Sequence, residues 1–218
     1  TSGNIQVHAN GWYWADGGGF VATSDARIKN IIGRSNGSND LAILNAIEVT
    51  DYKYKDEISH GSGLQKKVIA QQLQSVYPSA VNSNKGIVPG IFEKALKVQS
   101  NGNETAITMS KSHNLVAGDI VKLILEKGGE KMVKVNVIDA YSFSVGENIE
   151  DNIFVYGKLV NDLLNVDYDA ISMLNVSATQ ELYKQLKKLQ QENAAYEAKI
   201  REIEAKLNAL LKTKATNK

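Results

Sequence analysis

The spacing of apolar positions changes along the chain, and each change predicts a different element. From residue 179 onward Leu182, Leu186, Leu189, Tyr196, Ile200, Ile203, Leu207 and Leu210 recur three and four residues apart, with Thr179 and Asn193 in the same stripe. Lys, Glu, Gln and Ala fill the positions between them. This is a heptad repeat with Leu186, Asn193, Ile200 and Leu207 at a, and Leu182, Leu189, Tyr196, Ile203 and Leu210 at d. No Pro or Gly interrupts it, so residues 179–218 predict one long coiled-coil helix. Ile at both a and d in one layer leans away from a dimer, and Asn193 fixes register at some cost in stability. The expected assembly is a homotrimer.

Residues 91–158 follow a different period. Ala106-Ile107-Thr108-Met109, Ile120–Leu125, Met132–Val137 and Tyr141–Val145 are strand-like runs, separated by turn signals such as Gly118-Asp119 and Gly128-Gly129. Short strands at this spacing predict a small β-barrel or sandwich inserted into the surrounding domain.

Upstream, residues 26–80 read as mixed α/β. Asp40 is placed to N-cap a helix whose apolar positions are Leu41, Leu44 and Ile47. Val49–Tyr54 alternates as a strand, and Ser59-His60-Gly61-Ser62-Gly63 turns the chain. Val68–Leu73 enters a helix that must end before Pro78, because a residue preceding proline is pushed out of the α region. In residues 1–23, Ile5, Val7 and Ala9 alternate with polar neighbours before Trp12-Tyr13-Trp14 and Gly17-Gly18-Gly19. That stretch buries little alone. It reads as the end of a β-rich stalk completed by neighbouring copies, the alternative being a glycine-rich linker carrying aromatics.

The fold class is therefore α+β. The expected order is a β-stalk end (1–23), a first core segment (24–90), the β insert (91–158), a second core segment (159–178) and the terminal helix (179–218). With 25 basic and 24 acidic residues the formal net charge is +1, which offers no electrostatic case for nucleic acid or an anionic membrane. No apolar run approaches the ~20 residues of a membrane span. Cysteine is absent, which removes disulfides and thiolate metal sites, and no metal or cofactor is expected. The chain opens on Thr1-Ser2-Gly3 rather than Met, which reads as a piece of something longer.

Three blocks then stand out together. Ser24-Asp25-Ala26-Arg27-Ile28-Lys29 matches a Ser-Asp-x-Arg-x-Lys signature, Val68–Pro78 resembles an Ile-Ala-Gln-Glu helix ending in Pro, and Asn165–Ile171 resembles a Val-Asp-Tyr strand leading through Thr179-Gln180-Glu181-Leu182 into the terminal helix. In this order, and followed by heptads, they resemble the endosialidase-type intramolecular chaperones, C-terminal domains of phage tail spikes and fibres and of other trimeric β-stalk proteins. The resemblance covers residues 24–90 and 160–218. Gln72 stands where the family usually has Glu, and the insert has no counterpart.

The resemblance implies a domain that trimerises, templates the folding of an upstream β-helical stalk of the same chain, and then cuts itself off. Residue by residue, it makes Ser24 the nucleophile and Lys29 the general base, with Asp25 and Arg27 in support. From spacing alone, Ser24-Asp25 reads as a turn or helix cap followed by solvated basic residues; the accompanying blocks reverse that reading. The chemistry is consistent. A serine hydroxyl needs a base, and His8, His60 and His113 lie in separate segments without a paired acid. A Ser-Lys pair is a recognised variant whose lysine must be neutral to accept a proton, against an ordinary value near ~10.4. Burial or a nearby positive charge has to supply that, and Arg27 is the local candidate, while Asp25 is placed to hold Arg27 or to cap the following turn.

Attack by Ser24 on the carbonyl of Thr23 closes a five-membered ring, as in an N-to-O acyl shift. The expected scissile bond is Thr23–Ser24, or Ser24–Asp25 when the nucleophile comes from another chain. The competing reading is a non-cleaving trimeric adhesin tip whose β insert binds a receptor or glycan. For a phage protein the implied setting is the host cytoplasm during virion assembly; otherwise it is a cell-surface or secreted fibre.

Overall fold

The computed structural model describes residues 23–216, with side chains described through Lys212. They group into two compact units. One comprises residues 23–28 and 48–166, the other residues 29–47 and 167–216.

The first unit begins with small pieces. Strand β1 (Thr50–Tyr52) pairs antiparallel with β2 (Gln65–Lys67), setting Asp51 opposite Lys66 in an ion pair of 2.7 Å. The expected turn at residues 59–63 starts earlier than its glycines suggest. Between the strands lies one helical turn, α2 (Glu57–His60), capped by Asp56, whose Oδ1 accepts the Ser59 N–H at 3.0 Å. Gly61, at φ 79°, then reverses the chain. Helix α3 (Ala70–Val76) ends at Tyr77 and a 3-10 turn starts on Pro78, as the proline requires. Leu73 and Ala80 are the buried residues of these elements.

Strand β3 (Val81–Val88) runs antiparallel to β10 (Ile153–Val166), from the pair Val81–Val166 to the pair Val88–Lys158. This ribbon is the stem from which the inserted strands arise. They are β4 (Glu93–Lys94), β5 (Lys97–Asn101), β6 (Glu104–Thr108), β7 (Ile120–Leu125), β8 (Glu130–Val137) and β9 (Ser142–Val145). Neighbours follow the order β10-β7-β8-β9-β6-β5, and β4 pairs back onto β10. Because residues 93–101 pair with β10 at one end and β6 at the other, the path closes on itself. The insert is thus a barrel rather than a sandwich.

Period-two patterning fills its interior. Ile107, Val121, Leu123, Val133, Val135, Phe143, Val145 and Val155 are buried, while the residues alternating with them are half-buried or exposed, as pleating demands, except Ser144, which is also buried. Thr105 and His113 are buried polar residues of the insert. Thr105 Oγ1 donates to the Glu147 carbonyl at 2.8 Å and accepts the Ile149 N–H at 2.9 Å; His113 Nδ1 accepts the Leu115 N–H at 3.0 Å, while its Nε2 is buried without a hydrogen-bond partner. Where stem meets barrel, Gly157 lies so close to β3 that a Cβ there would stand 1.8 Å from the Val88 carbonyl oxygen.

The second unit is helical. Helix α1 (Gly37–Ala46) packs on α4 (Tyr168–Thr216), a single helix of 49 residues. The cap of α1 is Asn36, whose side chain accepts the Asn39 N–H at 3.2 Å. Asp40, expected at that position, lies inside the helix instead, since it is needed for the contact with α4 described below. The terminal helix also begins well before Thr179. Asp167 separates it from β10 and accepts the Ala170 N–H at 3.0 Å, so the Val-Asp-Tyr block joins the last strand to the first helical turn. No described helix is long and apolar enough to cross a membrane.

Candidate active site

Thr23 and Ser24 are exposed and lead into a 3-10 turn over Ala26–Ile28. Asp25 organises that turn. Its carbonyl accepts the Ile28 N–H at 3.2 Å, and its Oδ1 accepts the Arg27 N–H at 2.8 Å. The Arg27 guanidinium closes on the same carboxylate, Nε to Oδ1 at 3.0 Å and Nη2 to Oδ2 at 2.6 Å. Asp25 therefore both caps the turn and holds Arg27. The Arg27 side chain, and after it the Arg27 backbone N–H, draw the Asp25 carboxyl below its ordinary range, while Asp25 raises the guanidinium. The pair is exposed and adds little stability, but it fixes the shape of the turn that follows Ser24. Ile28 ends the first of the two chain segments that make up the first unit.

Lys29 opens the second unit. It is exposed, and the coil after it carries Ile31 at 71% and Ile32 at 93% exposure. The coil ends at Ser35, whose hydroxyl donates to Asp40. Asp40 is buried and accepts a second hydroxyl from Ser177 of α4 at 2.5 Å. These two hydrogen bonds, Ser177 first, hold its carboxyl below the usual range.

The remaining residues of interest fall outside the Ser24–Lys29 stretch. Gln72 of α3 donates to Glu48 at 2.8 Å and accepts from Thr50 at 3.0 Å, so the carboxylate beside this helix comes from Glu48. His60 Nδ1 faces the backbone carbonyl of Asp56 at 3.3 Å. The Asp56 carboxylate instead takes the Ser59 N–H and, at 2.9 Å, the Tyr156 hydroxyl. Burial opposes ionisation of Asp56, yet these bonds and His60 outweigh it and lower the group. No Ser-His-Asp constellation forms among the described residues, nor does a group of three or more His, Asp and Glu placed for a metal. On α4 the apolar seam is open, from 49% exposure at Leu182 to 68% at Leu210.

A family model described as chaperone of endosialidase matches residues 24–82. The match begins on Ser24. Those residues carry an endosialidase-type chaperone domain. It takes in the turn around Asp25 and Arg27, Lys29, α1, the β1–β2 pair and α3, and ends just inside the stem. Uncharacterized protein VP1 of Micromonas pusilla reovirus (isolate Netherlands/2005) is 24% identical over 262 residues, covering 96% of this chain. The chain spans 13% of the length of that viral protein.

Two sets of long-range contacts escaped the sequence. Ser35 and Ser177 carry no local signal that ties them to Asp40, because the bonds form across the helix pair. The Asp56–Tyr156 link joins residues a hundred positions apart, beyond the reach of any spacing rule.

Proposed function

We propose that this chain is a trimeric intramolecular chaperone that templates an upstream β-stalk of the same polypeptide, as at the end of a tail fibre or spike. It then releases itself by a single-turnover cut at Thr23–Ser24. Ser24 is the nucleophile, Lys29 takes its proton, and the Asp25–Arg27 pair shapes the turn between them. The observation that carries this reading is the family match beginning on Ser24. The exposed seam of α4 and the exposed Ile31 and Ile32 support assembly, since an open apolar stripe along a heptad helix is the surface by which such helices pack together. Heptads with Ile200 at a and Ile203 at d favour three strands, and Asn193 sets their register.

The cut proceeds by attack of Ser24 Oγ on the Thr23 carbonyl carbon. The hydroxyl proton passes to the Lys29 amine and then to the departing Ser24 amide nitrogen. Water hydrolyses the resulting ester, and no cofactor enters. Sedimentation of the Ser24→Ala and Lys29→Ala chains tests the assignment. Both are expected to remain full length and trimeric while the wild-type chain shortens. A Ser24→Ala chain cut as fast as the wild type overturns the dyad.

One observation favours a second reading. The barrel has its own closed core on a two-stranded stem, as a receptor-binding module of a non-cleaving fibre tip would. In that case the chain stays intact under every folding condition.

A further inference from the structure

The first turn of α1 is fastened to α4 more closely than helix packing requires. Gly37 approaches so near that a Cβ would meet the Glu181 Cβ at 3.0 Å. Ser38 Oγ donates to Glu181 Oε1 at 3.0 Å. Between these contacts Asp40, buried, gathers the hydroxyls of Ser177 and Ser35 on one carboxylate oxygen. Ser177 and Ala178 fall at f and g of the heptad frame, and Leu174 and Glu181 at c. Docking of α1 on this flank leaves the a and d positions open.

Ser35 is the far end of the coil that starts at Lys29. Six residues span at most roughly 20 Å, so tying Ser35 to α4 restricts where Lys29 can go. The tie at Ser177 lies about one and a half helical turns before the first exposed seam leucine, Leu182. We propose that Asp40 is a positioning residue: through Ser35 and Ser177 it anchors the coil bearing Lys29 to the assembling helix, so that the base is delivered together with the trimer seam. This rests on the dyad reading above. It gives a physical route by which assembly of α4 controls the cut.

Two measurements on the full chain test the anchor. Trypsin cuts after Arg34, which adjoins Ser35, and Ser35→Ala is expected to speed that cut severalfold, with Ser35→Thr restoring the wild-type rate. In the same chains Ser35→Ala is expected to slow self-cleavage roughly tenfold or more, in line with the cost of a misplaced group. Again Ser35→Thr should rescue, with sedimentation unchanged throughout. Unchanged trypsin sensitivity in Ser35→Ala overturns the anchor. Faster trypsin cutting with wild-type self-cleavage overturns the positioning role while leaving the dyad intact. A wild-type chain that never cuts itself overturns the dyad and the positioning role together, and the trypsin arm still judges the anchor.

Discussion

Asp40 illustrates how a residue's role follows from what lies across from it. Its place before Leu41 resembles a cap, yet Asn36 caps the helix and Asp40 binds Ser177 in the other helix. Those hydroxyls lower its carboxyl in the folded unit relative to an unfolded value of about 3.9. A lowered value means the stabilisation is fully present above that pH and is lost as pH falls through the folded value. Acid titration of the α1–α4 contact by circular dichroism should therefore show loss below about pH 4, and Asp40→Asn should remove that part of the slope. Tyr156 behaves oppositely. Burial, followed by the bond to Asp56, raises its hydroxyl to about 12, so the link holds below pH ~10 and breaks as pH rises toward the folded value. Tyr156→Phe leaves Asp56 short of one donor and should cost about 1–2 kcal/mol in urea unfolding.

At the level of elements, the stem depends on one glycine. Gly157→Ala drives a Cβ into the Val88 carbonyl and should cost about 3 kcal/mol or more, seen as a lowered urea midpoint and earlier proteolysis at the stem. In α4, Asn193→Ile is expected to raise the melting temperature of the assembly while blurring its register, giving mixed species in sedimentation. The barrel strands were legible because one face of each is buried, which writes a period of two into β6 to β9. The stem was not. Asn82-Ser83-Asn84-Lys85 and Asn161-Asp162 are solvated on a two-stranded ribbon and carry no alternation. The first turns of α4 were missed for a related reason. Leu174 and Ala178 are buried on the Ser177 flank, out of phase with the a and d stripe that announces the rest of the helix.

Across the whole molecule, the Ser24–Lys29 motif was legible because its residues are consecutive, and so was the Asp25–Arg27 pairing. What restrains the motif was not legible, since Ser177 lies 137 residues from Asp40. The chaperone-of-endosialidase match begins on Ser24, and on the proposed reading cargo precedes that residue and assembly machinery follows it. On that reading, loss of the template after cutting leaves the stalk unable to refold once opened, so its durability becomes a matter of unfolding rate. The most direct measurement is the intact mass of freshly folded wild-type chain. A cut at Thr23–Ser24 removes 23 of 218 residues, so the account predicts a species lighter by roughly a tenth, beginning at Ser24. A single full-length mass that persists in the assembled trimer would contradict it.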